Sequence, residues 1–202
     1  IANSPSMGSL IDMDRIAAVG FSLGGHTVLG LVGAELRAKA LAANCDSDQA
    51  APGCQWLKQG NAMIPGHVDL HKIDEGKFNA AYIEPRIKSV IAIDPAFVPA
   101  YDLESVKAID VPVGLINLGG SGEVPAGIDA EPLAKILRSA RFARVEGSDH
   151  FSFLAECKWY GGLLIWWEGD DPVCRETGSR SRAELHDEIA RKIIEMLKQT
   201  QS

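Results

Sequence analysis

The apolar run Ile16-Ala17-Ala18-Val19 stops at Gly20-Phe21-Ser22-Leu23-Gly24-Gly25. A short apolar run closed by glycines predicts a buried strand ending in a tight turn. Beyond it, Val28, Leu29, Val32, Leu36 and Leu41 recur at helical spacing and predict one helix lying on the sheet. Residues 44–84 lose the period. Cys45, Pro52, Gly53, Cys54, Gly60, Pro65, Gly66 and Gly76 punctuate that stretch, which predicts a lid-like insertion at one end of the sheet. Pattern returns in residues 87–93, a continuous apolar strand ending in Asp94-Pro95, and in Val113–Leu118, which runs into a glycine-rich loop carrying Glu123. A helix over 129–137 and a strand over 142–145 follow, delivering Gly147-Ser148-Asp149-His150-Phe151. After a Trp-rich stretch, Ser181 and Glu184 form a capping box. The stripe Leu185, Ile189, Ile193, Leu197 then predicts a last amphipathic helix.

Strands alternating with helices define an α/β domain, a mostly parallel sheet flanked by helices, over the whole of 1–202. Composition adds bounds. The chain has 202 residues, 46% of them hydrophobic and 23% charged, which suits one sizeable core. A net charge of −7 argues against a nucleic-acid partner. No stretch approaches the ~18 apolar residues of a membrane span, and the patch Leu163-Leu164-Ile165-Trp166-Trp167 is far too short. Four cysteines allow three pairings, and their grouping favours Cys45 with Cys54 and Cys157 with Cys174. Without C-x-x-C, zinc and redox roles are disfavoured. Two short-range disulfides, each worth about 3 kcal/mol, imply an oxidising location, secreted or periplasmic.

The candidate chemistry centres on Ser22. Gly20-Phe21-Ser22-Leu23-Gly24 is a G-x-S-x-G at a strand-to-helix turn, a nucleophile elbow. Gly20 and Gly24 are expected to allow strain at Ser22 and close strand-helix packing. The Leu23 backbone N–H then starts the helix, where a substrate oxyanion can accept it. A serine hydroxyl needs a histidine to take its proton, and the histidine needs a carboxylate to fix its tautomer. His150, on a loop just after a late strand, is the candidate base. Asp94, at the C-terminal end of a buried strand, is the first candidate for the acid, with Glu123 as its rival. Asp149 is expected to point away from the ring. His26 reads as a packed or capping side chain and His186 as a solvated one. His67 and His71 stand at i, i+4 but lack H-E-x-x-H, so they read as a solvated surface rather than a metal site. Substrate binding is assigned to Phe21, Phe97 and Phe151; no metal and no cofactor is required.

Ser22, Asp94 and His150 follow the Ser…Asp…His order of α/β-hydrolases. The run from Asp14 to Gly25, the cysteine-bearing insertion, 86–99 and 147–154 together resemble the predicted dienelactone-hydrolase-like enzymes related to platelet-activating-factor acetylhydrolase. The likeness spans nearly the whole chain. In the acetylhydrolase branch the acid follows the strand directly after the elbow helix, where Ile93-Asp94-Pro95 stands, so the resemblance favours Asp94 over Glu123. True dienelactone hydrolases differ, with a cysteine nucleophile and an acid after the next strand. The resemblance implies cofactor-free hydrolysis of a small-molecule or lipid-like ester. Two other readings use the same residues or fold: an acyltransferase, and a non-catalytic binding protein.

In the family's fold the elbow strand is the fifth and lies centrally, yet only fifteen residues precede Ile16. That is too few for one β-α-β unit of ~30 residues. The expectation is that these residues form the C-terminal portion of an α/β-hydrolase fold, completed by an N-terminal fragment or companion chain that also supplies a second oxyanion N–H.

Overall fold

Four strands, Ala17–Phe21 (β1), Ser89–Ile93 (β2), Val113–Leu118 (β3) and Ala140–Val145 (β4), pair in parallel in the order β1-β2-β3-β4. The computed structural model describes residues 12–47, 54, 57, 68–168, 171–175 and 178–200. The helices whose full range falls among these residues are α1 (Leu23–Gly30), α2 (Ala38–Ser47), α3 (Glu75–Phe78), α4 (Leu103–Lys107), α5 (Glu131–Ile136), α6 (Gly161–Glu168) and α7 (Arg182–Thr200).

Every position of β2 and β3 is buried, as a parallel sheet covered on both faces requires. Alternation sorts their side chains into two cores. Val90, Ala92, Val113 and Leu115 pack with Val28 and Leu29 of α1, Leu41 of α2, Val106 of α4 and Leu133 of α5. Ile91, Ile93, Ile116 and Leu118 face the other way, against Leu185, Ile189 and Met196 of α7. The result is a three-layer α/β domain. Among the described residues β1 forms one edge, with Val19 44% exposed.

The capping box of α7 is formed: the Ser181 N–H donates to Glu184 Oε2 (2.9 Å) and the Glu184 N–H to Ser181 Oγ (3.3 Å). The single helix expected from Val28 to Leu41 is broken. α1 ends at Gly30, Gly33 takes φ 109°, and Leu36 forms an isolated antiparallel bridge with Tyr101 before α2 begins. Two glycines within four residues weaken a helix at that point. Leu36 and Leu41 are buried nonetheless, so their spacing reported burial rather than one continuous helix.

The stretch expected to lose its period from residue 44 begins with helix, because α2 continues to Ser47. Among the described residues that follow, Cys54 and Leu70 are buried in the α1–α2 core, with Leu57, Ile73 and Phe78 against it. Both expected disulfides, Cys45–Cys54 and Cys157–Cys174, are present. The second clips the segment around α6, an element the pattern did not announce, which holds Leu163, Trp166 and Trp167 in solvent. Among the described residues no helix is long and apolar enough to cross a membrane.

Candidate active site

At the C-terminal ends of β1 and β2 the backbone is strained. Ser22 has φ 54° and ψ −117°, Asp94 φ 42° and Phe97 φ 65°, the non-glycine residues with positive φ among those described. Such conformations cost on the order of 1–3 kcal/mol each and persist only where surrounding bonds impose them. Here the Ser22 N–H donates to the Ile93 carbonyl (2.9 Å), the Ala96 N–H to the Ser22 carbonyl (3.0 Å), and the Asp94 N–H to the Ile116 carbonyl (2.8 Å). The two turns are thereby tied to each other and to β3.

Glycine is required at the elbow, at positions different in part from those expected. A Cβ on Gly20 would run into the Gly24 carbonyl. One on Gly25 would stand 3.0 Å from Pro95 Cα and 3.1 Å from the Ile93 carbonyl oxygen, while one on Gly24 meets nothing within 4 Å. The close approach of α1 to the sheet therefore runs through Gly20 and Gly25. Gly20→Ala is expected to cost about 3 kcal/mol, the upper range for overpacking, because only backbone stands in the way. For a chain of this size that is a fall in Tm of roughly 6–12 °C. Gly24→Ala, inside a helix and in open space, should hold Tm or raise it. Thermal unfolding of the two variants checks the contrast.

Ser22, Asp94 and His150 come together across 128 residues of sequence. His150 Nε2 lies 3.1 Å from Ser22 Oγ, and His150 Nδ1 lies 3.0 Å from Asp94 Oδ2. Asp94 is fully buried and the His150 side chain is 21% exposed. The imidazole is held on its face as well: Phe21 packs on it at 4.6 Å between ring centroids and is itself stacked on Phe153 at 4.4 Å. The Leu23 N–H stands beside Ser22 at the first position of α1, where no intrahelical carbonyl can reach it.

Asp94 is positioned by a buried network that includes Asn117, a residue sequence reasoning missed. Asp94 Oδ1 accepts from Asn117 Nδ2 and from the Leu118 N–H, both at 2.9 Å. Asn117 Nδ2 also donates to the Ile128 carbonyl, and Asn117 Oδ1 accepts from the Ala130 N–H, again at 2.9 Å. These bonds use both N–H donors of the Asn117 amide, one lone pair of its oxygen, and the inner Asp94 oxygen. The signal was an amide standing alone in the apolar strand Val113–Leu118.

The other candidates fall elsewhere. Glu123 is exposed and closes its own loop, accepting from the Gly120 N–H at 2.7 Å. Asp149 caps the turn at His150–Phe153 by accepting from the Phe151 and Ser152 N–H groups (2.9 and 3.1 Å). Of the assigned substrate-binding residues, Phe21 lies against His150, Phe151 meets its edge at 5.7 Å, and Phe97 stands edge-on to His26 at 6.0 Å. His186 is not merely solvated: its Nε2 donates to the Leu154 carbonyl at 3.0 Å. His71 Nε2 pairs with Asp46 Oδ2 at 3.0 Å, and His67 lies outside the described residues. Among those residues no group of three or more His, Cys, Asp or Glu is arranged to hold a metal.

No family model matches the chain, and no curated protein matches it.

Proposed function

We propose that the chain is a serine hydrolase that cleaves carboxylic esters through an acyl-enzyme. The observation that carries this reading is the continuous hydrogen-bonded line Ser22 Oγ, His150 Nε2, His150 Nδ1, Asp94 Oδ2, with steps of 3.1 and 3.0 Å. In this role Ser22 Oγ attacks the ester carbonyl carbon while its proton passes to His150 Nε2. The carbonyl oxygen becomes an oxyanion that accepts the Leu23 N–H, an interaction of a kind worth about 10²–10³ in turnover. Collapse breaks the bond to the alkoxy oxygen, which leaves as the alcohol with the proton from His150. Water, deprotonated by the same nitrogen, then attacks acyl-Ser22 and releases the acid. Asp94 keeps Nδ1 protonated and oriented throughout.

The strand-elbow-helix order and the likeness set out above support an α/β-hydrolase of the dienelactone-hydrolase-like, acetylhydrolase-related kind, with 44–84 as its insertion. The two disulfides support a secreted or periplasmic location. A fluorophosphonate tests the reading. It should label Ser22 and no other residue, and the label should vanish in Ser22→Ala. Labelling elsewhere, or none in a folded sample, refutes it.

A further inference from the structure

Beside α1 lies an open groove of about 400 Å³, lined by His26 and Leu36 together with Ile73, Asp74, Lys77, Phe78 and Tyr82. It borders the elbow, because His26 follows Ser22 by one helical turn and its backbone N–H donates to the Ser22 carbonyl at 3.0 Å. Leu36, Ile73 and Phe78 make it apolar. The charged groups that line it stand in solvent: Asp74 Oδ1 accepts the Gly76 and Lys77 N–H groups (3.0 and 3.3 Å), and Lys77 Nζ lies 3.9 Å from Asp74 Oδ2.

His26 is the polar group that remains. Its Nδ1 lies 3.1 Å from the hydroxyl of Tyr101, a residue only 5% exposed. Burial pushes the Tyr101 ionisation upward, so this hydroxyl keeps its proton. If the imidazole donated to it, the phenolic proton would have no acceptor among the described residues. Leaving a buried donor unmet costs about 1–3 kcal/mol. The phenol therefore donates to Nδ1, and the ring proton sits on Nε2. Burial also holds His26 below the usual histidine range, which keeps it neutral. With Nδ1 engaged by Tyr101, Nε2–H is the ring donor that remains, and no protein acceptor for it occurs among the described residues.

We infer that this groove binds the non-reacting arm of the substrate, an uncharged apolar chain bearing an oxygen acceptor, and that His26 Nε2–H is the donor that selects it. The word substrate rests on the ester-hydrolase reading of Ser22; the ligand chemistry of the groove does not. A neutral donor in an apolar wall favours a carbonyl or ether oxygen. An anionic arm would give up its hydration in the apolar part of the groove, where the one lining cation among the described residues, Lys77, stands out in solvent beside the Asp74 carboxylate.

The experiment uses Ser22→Ala protein, so that binding is read without turnover. The ¹⁵N resonances of His26 are followed while methyl 5-oxohexanoate, and separately monomethyl glutarate with its anionic arm, is titrated at neutral pH. Methyl 5-oxohexanoate is expected to give a saturable shift of Nε2 with Nδ1 still imine-like, and monomethyl glutarate to bind at least about tenfold more weakly. On the active protein, Ile73→Trp narrows the groove. It should lower the ratio of kcat/KM for p-nitrophenyl 5-oxohexanoate over p-nitrophenyl acetate by roughly tenfold, the loss of about two buried methylenes at about fourfold each. A saturable shift together with a falling ratio sustains the inference. No shift at His26, tighter binding of monomethyl glutarate with a protonated ring, or an unchanged ratio overturns it. An inert Ser22 alongside intact methyl 5-oxohexanoate binding refutes the hydrolase reading alone.

Discussion

On the proposed ester-hydrolase reading, Ser22→Ala is expected to lower ester turnover by about 10⁶-fold while the protein stays folded. The size follows from how the three groups act as one unit: without Oγ there is no acyl-enzyme, and His150 has no proton to take, so removal of the nucleophile costs nearly what removal of the whole set costs. What remains is the contribution of the Leu23 N–H and of binding, roughly 10³-fold over water. The same position carries a second, independent readout. Ser22 has φ 54° and ψ −117°, a conformation glycine adopts freely and alanine does not. Ser22→Ala therefore keeps the strain and should melt near the parent, whereas Ser22→Gly should be equally inactive yet more stable by about 1–3 kcal/mol. Turnover of a p-nitrophenyl ester and a thermal melt on the two variants measure both. Retention of more than 1% activity by Ser22→Ala removes the serine mechanism. A Ser22→Gly variant no more stable than Ser22→Ala removes the claim that strain is stored at the elbow.

The elbow was legible because its requirements are met by neighbours in sequence: an apolar run, a glycine before the serine, and small residues as the helix begins. The capping box at Ser181 and the limits of β3 were legible for the same reason. What depends on residues far apart was not. Gly25 is tight because Pro95 and Ile93 approach it, and nothing near Gly25 in the chain announces that contact. Asn117 matters because Asp94 and the backbone at Ile128 and Ala130 converge on its amide. The hydrogen bond between His26 and Tyr101 joins residues 75 apart. The break between α1 and α2 was hidden by periodicity itself, since a short irregular stretch can keep burying every third or fourth residue. For the acid, strand-end placement left both Asp94 and Glu123 open. The difference between them is burial: one lies within the network of β2 and β3, the other on a loop in water.

That difference makes the acid testable by a change of one atom. In Asp94→Asn the side chain keeps its shape, and its environment dictates which way the new amide turns. The Oδ1 position faces two donors, Asn117 Nδ2 and the Leu118 N–H, so the amide oxygen must occupy it. The NH₂ group is then forced into the place of Oδ2, facing His150 Nδ1. Now donating where the carboxylate accepted, it drives the ring proton from Nδ1 to Nε2. His150 in that tautomer presents Ser22 with a donor instead of a base. A wrong tautomer in intact geometry costs about 10⁴-fold in kcat in the serine-protease triad, and the same loss is expected here. Glu123→Gln exchanges an acceptor of the Gly120 N–H for another acceptor and should leave turnover within about twofold. Steady-state kinetics of both variants, with ¹⁵N shifts of His150 reporting the proton on Nε2 in Asp94→Asn, give the comparison. A small loss in Asp94→Asn beside a large one in Glu123→Gln would transfer the role to Glu123. A large loss with the proton still on Nδ1 would keep Asp94 essential but discard the tautomer as the reason.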